Sequence, residues 1–400
     1  MEAHLIFHNA GRLVVARLKL LVISPFSILP PHFGSSERTY NLVRGLARAH
    51  DVIVLYTDYD QIKVPRLQGR PPKNVRMIRI GPSHRLAQTV NPLLLMKGLR
   101  LIRHERPDVL IGDHFFSGLH ATLLHWLTGV PYVLDEHNAE YVRFERMRRP
   151  SARYVKWAER LYCRSADLVF CVSEADREML VDLGVVESKI EVVLNGIDME
   201  EYCPNPGVRP SVRQALGMRE QDPMALFFGK LDYRPNAEAV DLLVHEIMPR
   251  VLGQNPAVRF VVCGYNPPLN QHSHPSLMFP GVVSRIQDYI NAADVVIVPL
   301  ISGGGTKLKI IQAIACGRQV ITTPIGAEGI HQAGEWMQVA DNWDQFAELI
   351  VENLTHPPSS SLHTLQAFRA TYSWDQTAQQ AIHAIETRLR VAHRTIVTER

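Results

Sequence analysis

Asp294-Val-Val-Ile-Val-Pro-Leu300 and, two residues on, Gly303-Gly304-Gly305-Thr306-Lys307-Leu308-Lys309 decide how the chain is read. The first stretch is an unbroken apolar run of the kind found in strands buried on both faces. In the second, three glycines lead into a helix with Leu308, Ile311 and Ala315 on one face, Thr306 placed to cap it and Gly317 placed to end it. Two lysines at a helix start oppose the positive end of the helix dipole. An anion resolves that conflict, because free N–H groups, closely approaching glycine backbone and nearby ammonium groups together cradle a phosphate. Strand, glycine loop and helix in that order predict a nucleotide-phosphate site in an open α/β sheet.

Other phosphate motifs fit less well. Gly229-Lys230 lacks the upstream glycine and the following hydroxyl of a P-loop, and no G-x-G-x-x-G follows the first strand. The plain alternative is a glycine turn with two solvated lysines.

At 400 residues the chain is too long for one ordinary core, and 46% apolar with 21% charged residues fits a globular protein of two or three domains. The five cysteines are scattered with no C-x-x-C, which predicts buried thiols in a reducing, cytoplasmic setting. No apolar run reaches the length of a membrane span. Leu13 to Pro30, interrupted by Arg17 and Lys19, reads as a first buried strand after an extension over 1–17, not as a secretory signal. A net charge of +3 gives no reason to expect nucleic acid. The charge is concentrated in 143–164, where Arg143, Arg146, Arg148, Arg149, Arg153, Lys156, Arg160 and Arg164 face only Glu145 and Glu159. With Tyr154 and Trp157 interleaved, that stretch reads either as a solvated helix face or as one that meets an anionic membrane or an acidic acceptor.

The rest of the chain alternates short strands and helices twice over. Lys19–Ile23, Val52–Tyr56, Val75–Ile80, Val109–Gly112, Tyr132–Asp135 and Leu168–Val172 are expected strands of a first parallel sheet, covered by helices on both faces. Tyr202-Cys-Pro-Asn-Pro-Gly207 reads as a linker. Ala225–Phe228, Arg259–Cys263, a strand at 281–284, Val295–Leu300 and Val320–Thr323 continue as a second sheet. The fold expected is therefore α/β, with a first domain over 18–203, a second over 204–372 and a last helix over 373–400 that crosses back.

At this point the chain resembles the retaining nucleotide-sugar glycosyltransferases of the GT-B fold, family 4. The likeness covers nearly all of 18–390. It is carried by Gly34-Ser-Ser-Glu-Arg38, Val193-Leu-Asn-Gly-Ile-Asp198, Phe228-Gly-Lys-Leu-Asp-Tyr-Arg-Pro-Asn236, Gly303 through Gln312, and Gly326-Ala-Glu-Gly329. The resemblance implies two Rossmann-like domains facing a cleft and a sugar moved from UDP or GDP to a glycan or lipid-linked acceptor. It implies that Lys230 and Lys309, with Gly229, Gly305 and backbone N–H groups at Thr306, Lys307 and Leu308, hold the diphosphate. It also implies that His137 lies against the donor sugar, that the loop at Gly34 closes on the phosphate, that Val282 and Arg285 lie near the base, and that Gln312 meets the ribose.

Two departures stand out. Gly304 and Gln312 occupy positions where the family often has glutamates, and Asn236 replaces a second lysine, with Arg234 as a possible substitute. A catalytically silent nucleotide-sugar binder is the alternative these departures raise, and an epimerase or hydrolase on the same fold is another. Asp58-Tyr-Asp60 imitates the D-x-D metal motif of a different fold, but a basic cradle does a cation's work, so neither metal nor cofactor is expected.

Overall fold

The computed structural model describes residues 17–29, 31, 34–58, 71–82, 90–265, 274–357 and 361–389. The expected extension, apart from Arg17, and Asp60 of the D-x-D look-alike lie outside the described residues, as does most of the loop at 266–280.

Two parallel sheets organise the chain. The first is built from β1 (Lys19–Ser24), β2 (Asp51–Asp58), β3 (Val75–Pro82), β4 (Val109–Asp113), β5 (Tyr132–Asp135), β6 (Leu168–Cys171) and β7 (Ile190–Val192), in the order β3-β2-β1-β4-β5-β6-β7. The second uses β8 (Met224–Phe228), β9 (Arg259–Cys263), β10 (Leu277–Gly281), β11 (Val295–Val298), β12 (Gln319–Thr322) and β13 (Met337–Val339), in the order β10-β9-β8-β11-β12-β13. In both, the order reverses beside the first strand, and the carboxyl ends of the strands at such a reversal are where open α/β sheets bind ligands.

The central strands are buried on both faces, as their Val/Ile runs require: every side chain of β11 is fully buried. The chain forms two compact units. One comprises Met1–Asp135, Leu161–Phe170 and Ala378–Arg400, and the other Glu136–Arg160 and Cys171–Thr377. Residues 136–160, assigned to the first domain from sequence, thus fall in the unit that carries the glycine loop.

One strand is displaced from its expected place. The segment before the helix Ile286–Ala292 is β10 at Leu277–Gly281, not 281–284. Pro280 argues against a strand there, but β10 is the sheet's edge, where a missing N–H costs nothing.

Candidate functional site

The reversal between β8 and β11 brings two loops side by side: Gly229-Lys230 after β8 and the glycine loop after β11. The helix from that second loop runs from Leu308 to Ala315 and buries Ile310, Ile311, Ala313, Ile314 and Ala315 completely, so it is fixed by packing more than by propensity. Its far end closes in a Schellman motif. Gly317, at φ +69°, donates to Ile314 O at 2.8 Å, and Arg318 N donates to Ala313 O at 3.0 Å. Its near end leaves N–H groups without partners inside the helix, at the positive end of the dipole.

Lys309 is the side chain that meets the first loop. Its Nζ donates to Asn236 Oδ1 at 2.7 Å and lies 4.3 Å from the centre of the Phe227 ring. Asn236 Nδ2 in turn donates to Lys230 O at 2.8 Å. A Cβ on Gly229 would fall 3.0 Å from Lys309 Nζ and 2.9 Å from Asn236 Nδ2, so only glycine leaves room there. Burial pushes the Lys309 ammonium down to about 7, with no carboxylate among the described residues to hold it charged. A diphosphate would supply the missing negative charge. Lys230 extends from the same loop, 3.8 Å from Asp232 and partly open to solvent.

Gly305 holds the other side of the loop. At φ +64°, its Cβ position lies 2.1 Å from Asn138 Oδ1 and 2.7 Å from His137 O. The segment carrying His137 therefore rests directly on the glycine loop, with the His137 side chain buried. At Gly304 a Cβ would approach Arg143 Cβ to 3.2 Å. The carboxylate missing from that position has no space, because Arg143, bound to Glu140, fills it.

Several expectations are corrected. Thr306 does not cap the helix: its hydroxyl donates to Val172 O at 3.1 Å, and Lys307 is the N-cap residue without a capping bond from its side chain. The Lys307 ammonium does not face the cradle either. It is buried 3.6 Å from Glu328, and burial lowers it to about 8 against the pull of Glu328 and Asp176. Two of the eight basic residues in 143–164 are turned inward. Arg143 pairs with Glu140, while Arg146 grips both Glu328 oxygens (2.6 and 2.8 Å) and donates to Gly303 O at 3.2 Å. These charges hold the glycine loop and are unavailable to a membrane.

The remaining residues are more dispersed. Gln312 is buried, and its Nε2 donates to the Tyr202 hydroxyl at 3.0 Å, which leaves Oε1 to accept. Val282 and Arg285 are exposed just past the end of β10, with Arg285 3.3 Å from Asp288. β9 lies between β10 and β8, so the end of β10 is two strand spacings, about 10 Å, from β8. Gly34 opens the helix Gly34–Ala49 in the other compact unit. Asn236, Asn138 and Glu328 were not identified from sequence as site residues. Glu328 carried a signal: it is a carboxylate between two glycines in a chain whose glycine loop is rich in cations.

Comparison with known proteins adds to this geometry. The family model described as Glycosyltransferase Family 4 matches residues 34–201, and that described as Glycosyl transferases group 1 matches 222–356. A D-inositol 3-phosphate glycosyltransferase of Kribbella flavida is 24% identical over 393 residues, covering 88% of this chain and 90% of the relative. The UDP-Gal:alpha-D-GlcNAc-diphosphoundecaprenol alpha-1,3-galactosyltransferase of Escherichia coli is 24% identical, covering 60% of this chain and 65% of its own length, just under two thirds. Among solved structures, Anabaena HepE in complex with UDP superposes with a TM-score of 0.71 at 15% identity, covering 92% of this chain and 100% of that one.

Proposed function

The chain belongs to the family 4 glycosyltransferases of the GT-B fold, and we propose that it moves a sugar from a UDP- or GDP-sugar to a glycan or lipid-linked acceptor with retention. The observation that carries this reading is Lys309, an ammonium at a helix start with no carboxylate partner among the described residues, held by Asn236 against the Gly229-Lys230 loop. In the step proposed, the bond between the anomeric carbon and the diphosphate oxygen breaks. Lys309, Lys230 and the helix N–H groups take up the charge that develops on the leaving group. The acceptor hydroxyl attacks from the face the diphosphate leaves and gives its proton to a phosphate oxygen. A double displacement is less well supported, because the carboxylates at the glycine loop, Glu140 and Glu328, are tied to Arg143 and Arg146. Cation neutralisation by lysines also supports transfer without a metal.

The E. coli relative's name specifies UDP-Gal and a polyprenyl-diphosphate acceptor, and HepE was solved with UDP, so UDP-sugars head the test. The full chain would be melted with UDP, GDP, ADP and their sugars, and released nucleotide measured with each. A ligand at 100 times its Kd adds about 2.7 kcal/mol of stability. UDP or GDP should stabilise the protein, and their sugars should be slowly hydrolysed. Stabilisation by none of them would refute the reading.

Gln312 tests the ribose contact. Gln312→Glu should tighten nucleotide binding several-fold, since an ionised acceptor makes roughly twice as strong a bond. The Tyr202 hydroxyl can reverse its bond and donate to the new carboxylate. Calorimetry on both proteins checks this; unchanged affinity with a lower melting temperature would make Gln312 structural.

A setting in surface-polysaccharide or glycolipid assembly, on the cytoplasmic face of a membrane, completes the proposal. No helix among the described residues is long and apolar enough to cross a membrane. On the helix Ala152–Ser165, however, Arg153, Trp157, Arg160 and Arg164 form one exposed stripe, flanked by exposed Tyr154 and Lys156. With Trp157 61% exposed, that stripe suits an anionic lipid surface better than water alone. Binding to anionic vesicles should gain about 1 kcal/mol per basic residue near the surface and fade with salt. Equal pelleting with neutral and anionic vesicles would leave only a solvated face.

A further inference from the structure

A cavity of about 290 Å³ opens at the other end of the second sheet. Asp294, Arg318, Gln319 and Trp336 line it where β11, β12 and β13 begin, and Asn353 reaches it from the helix Trp343–Thr355. The glycine loop follows the opposite end of β11, a strand of four residues and therefore about 13 Å long. The cavity is thus separate from the proposed transfer site.

Its lining holds buried polar atoms that no group among the described residues satisfies, among them Arg318 Nε, Trp336 Nε1 and Asn353 Oδ1. Trp336 is 6% and Asn353 4% exposed, so neither belongs to an open surface. The orientation of the Asn353 amide is fixed, because its Nδ2 donates to Gln338 Oε1 at 2.6 Å and to Leu349 O at 2.7 Å. The oxygen is therefore the atom left over. Leaving such groups unmet in one cavity carries a desolvation cost at each, which a ligand would remove.

Charge narrows the ligand. Arg209 Nη2 meets one oxygen of Asp294 at 2.6 Å and Arg213 Nη2 the other at 2.8 Å. Arg318 is a third guanidinium beside that single carboxylate, and among the described residues it forms no ion pair; its Nη1 donates only to Ala293 O, at 3.1 Å. Water can satisfy the individual atoms but leaves this positive charge uncompensated.

We propose that the cavity binds a small hydroxylated anion, a phosphate or carboxylate group with a hydroxyl nearby. The anionic group accepts from Arg318 Nε and Trp336 Nε1. The hydroxyl is needed because Asn353 Oδ1 offers only an acceptor, and a fully ionised group has no proton to give it. Gly317 and Arg318 also close the helix Leu308–Ala315, so the ligand sits at the far end of the helix whose first turn faces the donor diphosphate. That makes it an effector position, a reading of its role that rests on the proposed function; binding itself does not.

Calorimetry on the full chain tests binding without any nucleotide, using glucose 6-phosphate, gluconate and neutral glucose as probes. Glucose 6-phosphate or gluconate should bind, which also separates a phosphate from a carboxylate source, and glucose should bind at least about tenfold more weakly than whichever anion does. Trp336→Phe and Arg318→Gln should each weaken that binding by about tenfold while UDP binding stays as in the unaltered protein. UDP binding also verifies that each variant is folded, and two variants guard against one that is not. Binding of neither anion, or equal binding by the unaltered chain and both folded variants, would overturn the proposal.

Discussion

Lys309→Ala should lower kcat by about two to three orders of magnitude, the usual cost of removing one preorganised group that meets developing charge. Lys309 is the ammonium bonded to Asn236 beside Gly229, and among the described residues it has no carboxylate to neutralise it before a donor arrives. The fold should survive, because the helix Leu308–Ala315 is held by Ile310, Ile311 and Ile314 on its other side. The same group should also make donor binding depend on pH. Burial sets the empty protein's ammonium near 7 against an ordinary 10.5, and a bound diphosphate raises it again. Binding then takes up a proton above pH 7, and affinity falls by up to about tenfold per pH unit until the bound ammonium itself titrates. For stability the sign is opposite. Between about 7 and 10.5 the unfolded chain holds more protons on Lys309 than the folded one, so this residue's penalty on the empty protein shrinks as pH rises through that window. Titration of UDP in buffers of different ionisation enthalpy, with both proteins, measures the proton directly. A variant that keeps half the kcat, or a wild type that binds UDP without proton uptake at pH 8, would mean that Lys309 does not meet the diphosphate.

The architecture was largely legible because β1, β4, β8 and β11 are mostly apolar runs bounded by turn residues. The strands missed entirely were β7, Ile190-Glu-Val192, and β13, Met337-Gln-Val339. Three residues with a polar centre carry no usable period. The order of strands in each sheet, and so the place where it reverses, is a long-range property that periodicity does not encode. In the site, the glycine loop was readable but the division of labour between its lysines was not. Lys307 is the extended N-cap residue and Lys309 lies in the first helical turn, so the two ammonium groups enter different surroundings. One meets Glu328 and the other Asn236. Asn236 read as the loss of a lysine when taken alone; in the structure it is the residue that aims Lys309. In the basic run at 143–164, likewise, composition does not show that Glu140 and Glu328 have already taken Arg143 and Arg146.

Arg38→Leu should destabilise the unit containing the first sheet by about 3–5 kcal/mol, because it removes one partner of a buried ion pair and leaves the other in place. Arg38 and Asp135 are each 1% exposed, with Nη2 2.6 Å from Oδ1 and Nε 3.1–3.2 Å from both carboxylate oxygens. Asp135 does not stand alone. It pairs in register with Asp113 on β4, so two buried carboxylates lie on neighbouring strands. Asp113 accepts from the hydroxyls of Ser24 at 2.7 Å and Thr39 at 2.8 Å, which are neutral, while the Arg38 guanidinium pairs directly with Asp135. Without it the carboxylates repel at about the 4.8 Å strand spacing. At neutral pH the loss corresponds to roughly 6–20 °C in melting temperature for a unit of this size. Adding Asp135→Asn should restore much of it, since the uncompensated charge is then gone. Melting curves of the single and double variants at neutral pH decide the matter. A single variant that melts within a degree of the unaltered protein would show that Arg38 compensates no charge, and a double variant no better than the single would show that the loss comes from packing alone.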